Sequence, residues 1–199
     1  MKEANRRQTL ESLEYDMRLN FTLFKINHTL KLLTVLREIN QNDEFFGINR
    51  IRQYAGSAHT EVDDILLRGP PLSMGLTMME LMNAIDCEWY QSVNMFPETY
   101  EMVSWITHYL GCKKLGRVII TKLAPGGVIY PHIDEGEVPK VYERFHYVIQ
   151  GTSGNIFTID GRQQEMRTGQ LWKVNVRKEH SVVNQSDRDR IHLIMDVVA

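Results

Sequence analysis

Two rhythms divide the chain. Leu32, Val35, Leu36 and Ile39 return at three- and four-residue spacing, the period of one helix face. The same period runs from Met95 through ETYEMVSWITHYLG and stops at Gly111, a residue type that ends helices in a left-handed turn. AIDCEWYQSV reads as the approach to that helix. Between the two helices, INRIRQYAGSAHTEVDDILLRGPP reads as loop and short strand, because Gly69-Pro70-Pro71 has no place in a helix interior. Residues 1 to about 20 form a charged, weakly amphipathic lead-in, either a helix or a frayed tail.

After Gly116 the period shortens. RVIITKL, GVIYPHI, RFHYVIQG, NIFTI, GQLWKVNV, HSVVNQ and RIHLIMDVV read as short strands, separated by turn clusters such as APGG, GTSG, DGRQ and NQSDRD. Many short strands at close intervals predict a sandwich or barrel, and here a jelly roll. The expectation is one domain over residues 1–199, in the α+β class but mainly β. Residues 1–115 would be its helical and loop part, and residues 116–199 its jelly-roll core. There is no internal repeat and no low-complexity tract.

Composition sharpens this only a little. The 199 residues are 43% hydrophobic and 24% charged with a formal net charge of -2, which suits a globular protein. A basic stripe of the kind that marks nucleic-acid binders is missing, so nucleic acid is not a favoured partner. The first residues mix both charge signs and no stretch is apolar enough for a membrane span, so a cytoplasmic protein without a membrane partner is expected. Cys87 and Cys112 lie far apart and outside any CxxC spacing, which predicts neither a disulfide framework nor a zinc knuckle.

The candidate chemistry begins in GGVIYPHIDEGE. His132 and Asp134 flank one isoleucine, and on a strand residues two apart point to the same face. Alone the pair is weak, since a lone strand histidine is more often structural than a ligand. His180, opening a later strand, and Arg190, opening the next, change the balance. Two histidines and one carboxylate suit non-haem Fe(II) and leave three coordination positions open. Zinc could also bind, but there is no HExxH-like partner for an activated water. The arginine favours iron together with a 2-oxo acid, whose distal carboxylate a guanidinium holds through two parallel hydrogen bonds. The bland alternative for Arg190 is a surface ion pair with Asp187 or Asp189.

The segments LGRVIITKLAPGGVIYPHIDEG, ERFHYVIQG and GQLWKVNVRKEHSVVNQSDRDRIHLIMDVV together resemble the aspartyl/asparaginyl β-hydroxylase family of Fe(II)- and 2-oxoglutarate-dependent oxygenases, over roughly Leu115 to Val198. The resemblance implies a double-stranded β-helix, or cupin-like jelly roll, with the N-terminal helices packed on the barrel. It implies Fe(II), 2-oxoglutarate and O2 as cofactor and cosubstrates, with His132, Asp134 and His180 as metal ligands and Arg190 as the clamp for the 2-oxoglutarate C5-carboxylate. Arg144 and His146 match an RxH pair that in the family contacts 2-oxoglutarate or substrate, and Thr121 sits where a hydroxyl helps hold the cosubstrate. Some animal members lack the carboxylate ligand. Asp134 places this chain with the complete-triad branch. The implied reaction is hydroxylation of a C–H bond in an Asp- or Asn-type residue of a peptide, or in a free amino acid.

Other residues carry less. Arg52, His59 and Arg68 are substrate candidates because loops at a barrel mouth set substrate choice, although charged loop residues are usually only solvated. His192 shares the face of Arg190 but lies in an apolar strand and reads as a packed structural histidine. His28 and His108 fall on expected helices and carry no function. Two rival readings remain: a non-catalytic cupin-like module that holds a metal or small acid, and an oxygenase acting on nucleobases. No oligomeric state follows from the sequence.

Overall fold

The computed structural model describes residues 20–26, 29–72 and 77–199. The lead-in up to residue 19, and His28, lie outside the described residues. Eleven strands form two antiparallel sheets among the described residues: Phe21–Phe24 (β1), Val62–Gly69 (β2), Glu88–Trp89 (β3), Lys114–Leu123 (β4), Val128–His132 (β5), Glu143–Gln150 (β6), Asn155–Ile159 (β7), Arg162–Glu165 (β8), Leu171–Val174 (β9), His180–Asn184 (β10) and Arg190–Val198 (β11). Four α-helices accompany them among the described residues: Thr29–Gln41 (α1), Met78–Asn83 (α2), Pro97–Tyr109 (α3) and Val138–Val141 (α4). The large sheet has the order β1-β9-β6-β11-β4-β2-β3 and the small sheet β5-β10-β7-β8. From β4 onward the chain passes back and forth between the sheets, apart from the β7–β8 hairpin within the small one, in the winding of a double-stranded β-helix, as the strand rhythm and the resemblance predicted.

Alternation decides what each face does. Val118, Ile120, Phe145, Tyr147, Leu193 and Met195 project from the outer face of the large sheet into one core with Leu32, Val35 and Ile39 of α1 and Met102, Val103 and Ile106 of α3. Leu123, Val148, Trp172 and Val174 face inward and meet Ile129, Phe157, Ile159 and Val182 of the small sheet. The helices therefore brace the large sheet from outside while the two sheets close on each other.

The two long helices are tied by one carboxylate. Phe96, at the N-cap position of α3, offers no capping side chain. Buried Glu38 of α1 substitutes for it, accepting from the amides of Glu98 (2.7 Å) and Thr99 (2.9 Å) and from the Thr99 hydroxyl (2.6 Å). Its charge also complements the positive end of the α3 dipole.

Several elements differ from the sequence reading. The N-terminal part, expected as helix and loop with a short strand, contributes β1, β2 and β3 to the large sheet, and β2 is eight residues long. The strand-rich half begins at Lys114, slightly before Gly116. The DGRQ turn is shorter than expected: Asp160 and Gly161, both at positive φ, make the turn, and Arg162 already opens β8. That strand is polar and lies at a sheet edge, so no hydrophobic alternation announced it.

Besides His180, the barrel interior buries His146 and His192. Burial, and then the nearby Arg190 charge, keep both imidazoles well below their ordinary pKa.

Two expectations follow. Glu38→Ala strands two amides and a hydroxyl at a buried helix start and should cost about 2–3 kcal/mol in denaturant unfolding. A loss under about 0.5 kcal/mol would contradict the capping role. Below about pH 6.5 the unfolded chain protonates histidines that the folded barrel keeps neutral, so stability should fall with falling pH, by up to about 1.4 kcal/mol per pH unit for each histidine. Unfolding midpoints that stay level between about pH 7 and pH 5 would contradict the neutral buried pair.

Candidate metal and cosubstrate site

Strand register brings the two histidines together. His180, the first residue of β10, lies opposite His132, the last of β5. Between them the ladder slips: Val182 pairs with Ile129, so three residues of β5 span what two span on β10. This bulge turns His132 to the inner face that Ile129 also occupies, which strict alternation would forbid. The His132 and His180 ring centroids are 4.2 Å apart.

Asp134 arrives differently from the expectation. β5 ends at His132, and Asp134 lies in the following loop rather than on the same strand face. Its amide donates to the Val176 carbonyl at 3.0 Å, and this anchor delivers the carboxylate. Asp134 Oδ1 stands 3.4 Å from His132 Nε2 and 3.9 Å from His180 Nε2. One ligand atom from each of the three residues falls within 4.8 Å of the others.

Both rings present the same nitrogen. His132 Nδ1 lies 2.8 Å from the Tyr130 carbonyl, and His180 Nδ1 lies 3.0 Å from that of Lys178. A carbonyl only accepts, so each Nδ1 carries a proton and each Nε2 is the nitrogen turned toward the site. His132 Nε2 is buried without a hydrogen-bond partner. Burial lowers the His180 pKa to about 4, so this imidazole is neutral at pH 7. Burial alone would raise the Asp134 pKa, but the Arg144 charge and the His132 contact outweigh it and hold the carboxyl well below the usual range. Two inward-facing imidazole nitrogens and an ionised carboxylate fit Fe(II), with open coordination positions.

Arg190 is almost fully buried at 2% exposure. It forms no ion pair with Asp187 or Asp189. Among the described residues its recorded side-chain partner is His192, whose Nδ1 accepts from Nη2 at 3.0 Å. Burial pushes the guanidinium pKa down to about 9, which still leaves it charged at neutral pH. Because His192 Nδ1 accepts, the His146 Nδ1 at 3.2 Å must be the donor of that contact. The two Nε2 atoms are left buried and unpartnered. Thr121 pairs with His192 across β4 and β11, and its hydroxyl reaches the His192 carbonyl at 3.5 Å. Arg190, His192, His146 and Thr121 thus form one polar cluster inside the barrel. A charged guanidinium without a carboxylate, beside a hydroxyl, suits the distal carboxylate of a 2-oxo acid.

A cavity of about 570 Å³ opens beside the triad, lined by His132, Asp134, Arg144, Arg117, Arg52 and His59 among others. His59 packs edge-on against His132 at 4.6 Å, and burial followed by the Arg52 charge lowers its pKa to about 2. Arg52 is paired with Asp64 at 3.2 Å. Arg68 does not line this cavity: it donates to the Leu115 carbonyl at 3.3 Å and covers the Trp89 ring. Arg144 does line it, but is held by Asp196 and Asp134. The sequence reading missed Asp196 and Arg117, and treated His192 as packing alone. The signal was present, since Arg190, His192, Ile194 and Asp196 alternate along β11 and so share the inner face.

Comparisons agree with this geometry. Residues 77–199 match the family described as Aspartyl/Asparaginyl beta-hydroxylase. An L-proline cis-4-hydroxylase from Rhizobium meliloti (strain 1021) is 28% identical over 93 residues, 47% of this chain and 33% of the relative. The match therefore spans about one third of that relative's length. An oxidoreductase of the 2OG-Fe(II) oxygenase family from Burkholderia pseudomallei superposes with a TM-score of 0.63 at 8% identity, covering 95% of this chain and 89% of the other. A Pseudomonas putida prolyl-4-hydroxylase superposes at 0.55 and 12% identity, covering 95% and 97%. At such identities these two structures speak for the fold. The family match extends over more than half of the chain and contains all three metal-site residues. The chain belongs to the aspartyl/asparaginyl β-hydroxylase family, a family of Fe(II)- and 2-oxoglutarate-dependent oxygenases.

Proposed function

We propose that the protein is a hydroxylase that couples oxidative decarboxylation of 2-oxoglutarate to hydroxylation of a C–H bond in an amino-acid substrate. That substrate is an Asp- or Asn-type residue in a peptide, or a free amino acid. The observation that carries the reading is the convergence of His132 Nε2, His180 Nε2 and Asp134 Oδ1, with both Nδ1 protons committed to backbone carbonyls. When bound there, Fe(II) supplies the oxygen chemistry that no amino-acid side chain provides.

The residues of the chain have separate tasks. His132, His180 and Asp134 would hold the metal and leave open positions for the 2-oxo-acid end and for O2. Arg190 would orient the cosubstrate by its other end, with Thr121 and His146 beside it. The cavity at Arg52, His59 and Arg117 would take the substrate, whose reacting carbon must lie on the triad side. Its volume is ample for a residue within a peptide. Arg68 lies outside that cavity, and we assign it no substrate contact.

The reading puts the reaction in the cytoplasm. Cys87 and Cys112 are free thiols, as in a reducing compartment. No helix among the described residues is long and apolar enough to cross a membrane.

The test is an anaerobic titration with Fe(II) and 2-oxoglutarate, followed by the weak visible charge-transfer band. Wild type should develop the band and His132→Ala should not. Arg190→Ala should need about 10- to 100-fold more 2-oxoglutarate, as expected for loss of a charge-assisted hydrogen-bonded pair. A folded, iron-loaded wild type without the band would contradict the assignment and favour a non-catalytic cupin-like module. Succinate release above the uncoupled background, with Asp- and Asn-containing peptides set against free amino acids such as proline, would then decide the substrate class.

A further inference from the structure

Arg144 faces the cavity, yet three of its nitrogens are already used. Nε donates to Asp196 Oδ1 at 2.8 Å, Nη2 to Asp196 Oδ2 at 3.1 Å, and Nη1 to Asp134 Oδ2. Sheet register creates the first pair, because Arg144 of β6 and Asp196 of β11 are direct cross-strand partners. Asp196 is 2% exposed, and both of its oxygens are occupied by one guanidinium fork. Arg144 is thereby oriented by the rigid sheet, while Asp134 sits in a loop and needs an external support.

We propose that Asp196 and Arg144 are a positioning pair for the metal-binding carboxylate, which locks Asp134 Oδ2 and leaves Oδ1 alone to face the metal. The inference rests on the metal-site reading above. Asp134 Oδ1 is the oxygen beside both histidine Nε2 atoms, and Oδ2 is the one Arg144 holds. A carboxylate held by one oxygen cannot swing to bind a metal through both, so the site keeps its open positions.

The test is Co(II) binding by the full chain without 2-oxoglutarate, followed by the visible d–d absorption. It compares wild type, Asp196→Asn and Arg144→Met, each also in an Asp134→Ala background, with circular dichroism to confirm folding. Either single substitution should weaken Co(II) binding about 10- to 100-fold and change the band shape of the bound ion. Neither should weaken it further once Asp134 is alanine, because the pair acts through that residue. Arg144→Lys retains the charge but not the fork, and carries the same expectation if another variant fails to fold. Affinities within about twofold of wild type with an unchanged band would overturn the positioning role. So would equal losses in the Asp134→Ala background, which would indicate a general structural effect. A wild type that takes up no Co(II) would remove the metal site itself and this role with it, a failure distinguishable from the other two.

Discussion

A guanidinium inside a protein must be stabilised by something, and Arg190 has no carboxylate partner among the described residues. Desolvation of such a charge costs several kcal/mol unless an anion or a full set of hydrogen bonds offsets it. The barrel provides one neutral acceptor, His192 Nδ1, whose acceptor role in turn fixes the tautomer of His146. Around that one constraint the interior is arranged: imidazoles kept neutral, a hydroxyl at Thr121, and a buried cationic end that a dianionic cosubstrate would complement. The metal triad lies at the edge of the small sheet, and the charge that would orient a chelating acid lies on the large one.

The two sheets therefore divide the work. The small sheet supplies His132 and His180 in register, and a bulge in β5 brings His132 inward. The large sheet supplies Arg190, Thr121, His146 and the Arg144–Asp196 pair on its inner face, while its outer face is buried under α1 and α3. Rigidity comes from that outer packing and from the Glu38 tie between helices. Sites carried by several braced strands hold geometry more closely than sites carried by loops. Asp134, the candidate ligand on a loop, is accordingly the one with an additional contact, to Arg144.

Much of this was legible in the residues, for identifiable reasons. The strand rhythm after Gly116 was readable because short strands and turns are local signals, and the HxD pair and His180, picked out by residue type, come together in the structure. The β5 bulge was not legible, since a run such as VIYPH carries no mark of where an extra residue enters a ladder. The strand-face argument for Asp134 therefore reached a grouping that the structure achieves by a loop. β8 was hidden by its polar sequence, β1 and β3 by the lack of a strong period near them, and of β2 only a short strand was read where eight residues pair. Asp196 was visible as the fourth alternate residue from Arg190, but its partner Arg144 lies across the sheet, and register is not readable from one strand.

The most direct test of the account is a crystal of the full chain with Mn(II) and 2-oxoglutarate, using anomalous scattering to locate the metal. The account predicts one metal bound by His132 Nε2, His180 Nε2 and only Oδ1 of Asp134, with the distal carboxylate of 2-oxoglutarate on Arg190. A metal bound elsewhere, or 2-oxoglutarate bound without contact to Arg190, would contradict it.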